Sequence, residues 1–154
     1  MPKELSDIIF ENQILLDMQA QAQDDAIREL VGLLAGNKQV IDSARLCREI
    51  IDREALSSTA MQAGTALPHA RTDTVRDIVL AVGRSREGVM FANQARVRLI
   101  FVIGTPKNSV ADYLVCVGTL ARLVRNTASM ERLMQAGTAS EFAQILRNAM
   151  LRHV

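Results

Sequence analysis

The segment Gly64-Thr65-Ala66-Leu67-Pro68-His69-Ala70-Arg71 holds the only histidine away from the end of the chain. Pro68 fixes its own φ, lacks an N–H and biases Leu67 toward extended geometry. Gly64 permits backbone angles that a side chain would forbid, so the segment predicts a strand end that presents one imidazole, partly open to solvent. A neutral imidazole is a nucleophile with an unperturbed pKa of about 6.5, suited to exchanging a proton or a phosphoryl group near neutral pH. The alternative is a loop histidine that is merely hydrogen-bonded. Ser58-Thr59 lies upstream and Arg71-Thr72-Asp73 downstream, supplying hydroxyls and a cation. Asp73 and Asp77 suit an orienting pair for an acid-base histidine, or are simply hydrated. Arg53 ends the preceding helix, where a guanidinium fork can bind two oxygens of a phosphoryl group. A solvated arginine favoured by the helix dipole is the other reading of that position. Nucleotide-binding Gly-x-x-x-x-Gly-Lys-Ser/Thr, Gly-x-Ser-x-Gly, His-Glu-x-x-His and Asp-rich calcium patterns are all missing, which argues against an independent hydrolase.

The elements that must carry these residues alternate between helical and strand periods, as in an α/β domain. Ile14, Leu16 and Met18 alternate in a first strand. Asp24-Asp25 opens a helix with Ile27, Leu30, Val31 and Leu34 on one face, and Gly36-Asn37 closes it with residues that tolerate left-handed geometry. Asp42-Ser43 starts a second helix with Leu46, Ile50 and Ile51 inward. Strands follow in the segment before His69, from Asp77 to Val82, and from Val97 to Ile103, ended by Gly104-Thr105-Pro106. Ser109 to Arg125 is the longest helix, with a stripe of Val110, Leu114, Val117, Ala121 and Val124 read as core packing. Thr138-Ala139-Ser140-Glu141 is a capping-box pattern after Gly137, predicting a last helix to about Met150.

Length and composition fit one compact domain over residues 1–154, since 49% hydrophobic content supports a core without disulfides or metal. Cys47 and Cys116 have no partners at metal-ligand spacing and read as reduced thiols. A formal charge of +1 and an aromatic content of 3% argue against a nucleic-acid surface. Met1-Pro2-Lys3-Glu4-Leu5-Ser6-Asp7 lacks the basic and apolar regions of a signal peptide, and no apolar run reaches bilayer length. The expected place is the cytoplasm, with no direct membrane insertion.

The Pro-His segment in this order of elements resembles the fructose/mannitol-type (type 2) enzyme IIA family of the bacterial phosphotransferase system, including its nitrogen-regulatory members. In that family a glycine, a short apolar run and Pro-His-Gly/Ala carry the phosphorylated histidine. The resemblance spans nearly the whole chain and implies a mixed β-sheet flanked by helices on both faces. It makes His69 the phosphoacceptor. Arg53 lies 16 positions ahead, the separation at which the family places an arginine that approaches the phosphohistidine. Thr59, Gly64 and Arg71 are the expected substrate-binding residues beside it.

The chain also departs from the family. Many relatives carry a second histidine near the start of the long helix, where Asp112-Tyr113-Leu114 places Tyr113; a phenol donates a hydrogen bond but carries no positive charge. Gln62 and Ala63 replace residues that are usually glycine or small and polar, and Thr65 replaces an aliphatic residue. His153 offers no substitute imidazole, because terminal residues are usually mobile. The resemblance implies a donor that is the histidine-containing phosphocarrier protein HPr or its nitrogen-branch counterpart. The implied acceptor is an enzyme IIB domain that charges a sugar crossing through a membrane IIC subunit. Because the chain ends at Val154, IIB and IIC are expected as separate polypeptides, and no metal or organic cofactor is expected. The alternative is a nitrogen-type regulatory protein whose His69 phosphorylation selects protein partners; a degenerate structural relative with His69 out of reach is a third. Tyr113 favours regulation, whereas Gly64, Pro68, His69 and Arg53 favour a working phosphoacceptor.

Overall fold

The computed structural model describes residues 5–61 and 64–151, so Gln62, Ala63 and His153 lie outside the described residues. Five strands, β1 Ile14–Leu15, β2 Thr65–Ala66, β3 His69–Thr72, β4 Val79–Met90 and β5 Arg96–Pro106, form one sheet in the order β1-β4-β5-β2, with β3 also on β5. β4 and β5 run antiparallel, and β1, β2 and β3 each pair in parallel. β2 and β3 lie along one edge of β5 in unbroken register: Ala66 faces Ile100 and His69 faces Ile103. Between them Leu67-Pro68 interrupts the ladder, because proline has no N–H to give, although its carbonyl still accepts from Ile103 N at 3.0 Å. His69 therefore begins a strand, where the sequence predicts a strand end.

The alternation of β4 and β5 loads both faces of the sheet. Leu80, Val82, Leu99, Phe101 and Ile103 join the core beneath three helices, α3 Val110–Val124, α4 Thr127–Gln135 and α5 Ala139–Leu151. Val79, Ala81, Ile100 and Val102 join the core beneath α1 Gln23–Leu34 and α2 Ser43–Leu56. This is the mixed sheet with helices on both faces that the resemblance implies. The inward face of α1 is as expected, with Ile27, Leu30, Val31 and Leu34 buried. Asp42 caps α2 by accepting from Arg45 N at 3.0 Å, and Thr138 caps α5 by accepting from Glu141 N at 3.0 Å.

Several expectations need correction. The first strand is only two residues long, following a 3₁₀ turn over Glu11–Gln13, and Met18 packs beneath α1 beyond it. Gly36 and Asn37 close α1 without left-handed backbone; Asn37 instead accepts from Gln39 N and donates to Gln13 Oε1. β4 begins at Val79 and runs on to Met90, past Val82, and β5 continues through Gly104-Thr105-Pro106, because Ala70, Arg71 and Thr72 of β3 pair with those three residues. Helix α4 has no counterpart among the expected elements. The stripe on α3 is rotated: Cys116, Leu120, Leu123 and Val124 are the buried face, while Val110 and Leu114 are exposed.

Arg84 explains the charged middle of β4. Its side chain is buried, its Nη1 donates to the carbonyls of Leu133, Met134 and Ala136 at 3.0, 3.1 and 2.7 Å, and its Nε donates to Leu16 O at 3.3 Å. The guanidinium thus meets the negative end of the α4 dipole and supplies donors to carbonyls that the helix cannot satisfy itself. Burial pulls its pKa below the ordinary arginine value. Arg84→Met keeps much of the apolar volume but orphans these carbonyls, so we expect a loss of roughly 2–4 kcal/mol, measured as a lower urea midpoint with unchanged slope.

Candidate active site

Helix α2 ends against the sheet edge on which β3 begins, and the first turn of α3 closes the third side. Glu49, Asp52, Arg53 and Leu56 from α2, His69, Ala70 and Arg71 from β3, and Tyr113 from α3 line one open cleft of ≈ 450 Å³. His69 lines it and is buried, at 9% exposed, where the sequence predicts an imidazole partly open to solvent. Nδ1 lies 2.8 Å from Leu67 O. A carbonyl can only accept, so Nδ1 bears the proton and Nε2 bears the lone pair. The Tyr113 hydroxyl lies 3.0 Å from Nε2 and, given that tautomer, donates to it. The two rings are tilted by 44° with centroids 5.4 Å apart.

Arg53 and Arg71 share the cleft with this imidazole. Arg53 Nη1 donates to Ser57 O at 3.0 Å, a capping bond at the end of its own helix that uses one of the five N–H donors of a guanidinium. Arg71 is exposed, and its Nη2 donates to Lys107 O at 3.2 Å, tying the β3 edge to the loop after β5. The helix-end reading of Arg53 is met by this bond, and the same side chain lines the cleft that His69 lines. Glu49 in the same cleft is paired with Arg45 at 3.0 Å.

Other expected site residues lie elsewhere. Thr59 turns its hydroxyl inward to Glu54 and receives Leu67 N–H. Gly64 sits in left-handed backbone at φ +80° and lines a separate cleft with Arg98, Leu99 and Met130, its carbonyl accepting from Arg98 N and Leu99 N. It shapes the turn into β2 and does not face the imidazole cleft. Asp73 pairs with Lys107 at 3.4 Å and Arg45 at 3.8 Å, and Asp77 accepts from Ile78 N, so neither is the group that orients His69; the Leu67 carbonyl takes that place. Thr65 is buried with its hydroxyl unpartnered. Cys116 is buried in the core, and burial pushes its thiol up to about 12. Sequence reasoning missed the exposed apolar rim, in which Leu56 is 85% and Leu114 is 61% exposed, joined by Val110 and Val115.

The family described as "Phosphoenolpyruvate-dependent sugar phosphotransferase system, EIIA 2" matches residues 7–149. The chain belongs to that family. This EIIA protein is 24% identical over 145 residues to the "PTS system fructose-specific EIIABC component" of Bacillus subtilis, covering 93% of this chain but only 23% of that protein. The solved "Nitrogen Regulatory Protein IIA-Ntr from Neisseria meningitidis" superposes with a TM-score of 0.80 at 28% identity, covering 92% of this chain and 98% of that one. A solved complex of enzyme IIA mannitol and phosphorylated enzyme IIB mannitol from Escherichia coli shares the fold, with a TM-score of 0.76 at 22% identity over 89% of this chain and 95% of that one. Relatives of this EIIA protein therefore include both sugar-specific and nitrogen-regulatory members. Among its described residues no helix is long and apolar enough to cross a membrane.

Proposed function

We propose that this EIIA protein is a phosphohistidine carrier of the sugar phosphotransferase system, built as one domain over residues 1–154 and working in the cytoplasm. It accepts a phosphoryl group on His69 from an HPr-type carrier and passes it to a separate IIB component, which acts with IIC. The observation that carries this reading is the commitment of Nδ1–H to Leu67 O, which leaves the Nε2 lone pair in a cleft shared with Arg53 and Arg71. Nε2 attacks the phosphorus of the donor's phosphohistidine as the Tyr113 hydroxyl swings off. The new Nε2–P bond forms as the donor's N–P bond breaks. A donor ring protonated on its other nitrogen leaves as neutral imidazole, so no proton changes hands. His69 keeps its Nδ1 proton and takes on the positive charge, and its bond to Leu67 O becomes charge-assisted and stronger. Arg53 meets the equatorial oxygens, where the charge of a transferring phosphoryl group resides, and Arg71 adds a second cation at the mouth. The chemistry asks for no metal or organic cofactor.

The test is reconstitution: enzyme I, phosphoenolpyruvate and an HPr-type carrier should charge His69, and added IIB should discharge it. A second reading is favoured by Tyr113, since a phenol at that position withholds the cation that a second histidine could supply. In that reading His69 is phosphorylated, adding about −1.5 to −2 charges beside an apolar rim, and the charge selects protein partners. Failure of every cognate IIB to discharge the protein, together with phosphorylation-dependent binding of another protein, would favour it. Genes for IIB and IIC beside this one would favour transport.

Two further outcomes follow from the cleft. The apolar rim is read as the footing for the incoming carrier, so Leu114→Asp should raise the KM for the carrier about tenfold, equivalent to ~1.4 kcal/mol, with kcat retained. Steady-state phosphoryl transfer at varied carrier concentration checks this. Tyr113→Phe removes a neutral hydrogen bond worth about 0.5–1.5 kcal/mol and should shift the single-turnover rate by no more than about tenfold.

A further inference from the structure

A carboxylate lies behind His69 that the transfer chemistry leaves without a task. Glu54, on the last turn of α2, is 2% exposed. Its Oε2 accepts from Thr59 N at 2.6 Å and its Oε1 accepts from Thr59 Oγ1 at 2.9 Å. The Thr59 hydroxyl, its proton committed to the carboxylate, turns a lone pair to Leu67 N–H at 3.0 Å. Leu67 in turn holds His69 Nδ1 through its carbonyl at 2.8 Å. Four residues from the end of α2, the loop after it and the edge strand are thus joined in one line of hydrogen bonds.

We propose that Glu54 is a positioning residue for His69, acting through Thr59 and Leu67 to hold the Nδ1–H tautomer and aim Nε2 into the cleft. This rests on the reading of His69 as the phosphoacceptor. The polarity of the line is forced at every step. A carboxylate only accepts, so the threonine hydroxyl donates; that hydroxyl then accepts from a backbone N–H; a carbonyl only accepts, so Nδ1 donates. The Leu67 carbonyl belongs to the bond before Pro68, whose ring confines Leu67 to extended backbone. Thr59 secures the other side of the same residue, so the carbonyl is held from both ends. The Tyr113 hydroxyl, which can donate or accept, does not by itself choose the tautomer. A ring whose tautomer and direction are fixed before the carrier arrives avoids the loss of rate that misplacement of a reacting atom brings.

The alternative is a clip that ties the loop to α2 and affects stability alone. Thr59→Val separates the two, because it is nearly isosteric, keeps the backbone N–H on Glu54 and so the tie between loop and helix, and removes the hydroxyl that gives to Glu54 Oε1 and accepts from Leu67 N–H. Long-range proton–nitrogen spectra of the unphosphorylated protein should show His69 as the Nδ1–H tautomer in the parental chain and as a tautomer mixture in Thr59→Val. The single-turnover rate of phosphoryl transfer should fall about tenfold or more in the same variant. Thr59→Ser should restore most of both, and Glu54→Gln, whose amide N–H turns toward the threonine oxygen, should shift both in the direction of Thr59→Val. The parental tautomer and parental rate in Thr59→Val, with only a lower melting temperature, would overturn the proposal. If the parental protein takes up no phosphate, the carrier reading fails, while the tautomer comparison still decides whether Glu54 and Thr59 position the ring.

Discussion

His69→Ala takes up no phosphoryl group from phosphoenolpyruvate, enzyme I and an HPr-type carrier, whereas the parental chain gives an acid-labile, base-stable phosphoprotein. The expected loss is complete because the substitution removes the nucleophilic atom, and none of the described side chains that line the cleft offers another imidazole. Glu49 and Asp52 line the same cleft, but their acyl phosphates would be base-labile, so the stability of the label distinguishes the acceptor. The fold survives, since the sheet edge is held by backbone pairing of His69 with Ile103, which alanine retains. Circular dichroism and a urea melt check that point. A base-stable label on the alanine variant would remove His69 from its assigned role.

Arg53→Ala slows transfer roughly 10- to 150-fold. The loss is that of one charge-assisted contact, about 1.5–3 kcal/mol, acting mainly in the transition state. Its melting temperature changes little, because the side chain's bond in the structure is a helix-end contact with Ser57 O that water can replace. Single-turnover transfer from the phosphorylated carrier measures the effect, and Arg53→Lys should recover only part of the rate, since an ammonium lacks the planar fork. Parental rates in Arg53→Ala together with abolition of transfer in Tyr113→Phe would mean that the phenol, and not the arginine, supports the phosphoryl group.

Much of this site was legible because its determinants are local. Pro68 must break a ladder and restrain Leu67, and a histidine placed directly after it begins the next pairing. The cap at Asp42 and the inward Leu46 and Ile50 fix the phase of α2, and that phase sends Arg53 to the cleft. What the sequence could not reveal are contacts between distant segments. Glu54 lies in phase with the inward Leu46 and Ile50 of α2, but its residue type does not show how a carboxylate is accommodated there; the Thr59 N–H and hydroxyl that satisfy it come from the loop after the helix. The stripe from Val110 to Val124 marks an apolar face but not what covers it; Cys116, Leu120 and Leu123 are buried in one core with the sheet, α4 and α5, and Leu114 is left exposed. The strand expected from Asp77 to Val82 runs on because Arg84 still pairs with Leu99, its side chain bonded to the carbonyl end of α4, and an irregularity between Arg84 and Val89 takes up Gly88. The oriented carbonyl of Leu67 is a backbone group and leaves no trace in residue type, which is why Asp73 and Asp77 stood as the visible candidates.

In a carrier that works as proposed, the Nε2 atom of His69 carries the phosphoryl group while Nδ1 keeps its proton on Leu67 O. Phosphorylating uniformly nitrogen-labelled protein and recording long-range proton–nitrogen and phosphorus–nitrogen correlations of the His69 ring tests it directly. The expected result is phosphorus coupled to Nε2, with a protonated Nδ1 in slow exchange with water. Phosphorus on Nδ1, or on any residue other than His69, would contradict it.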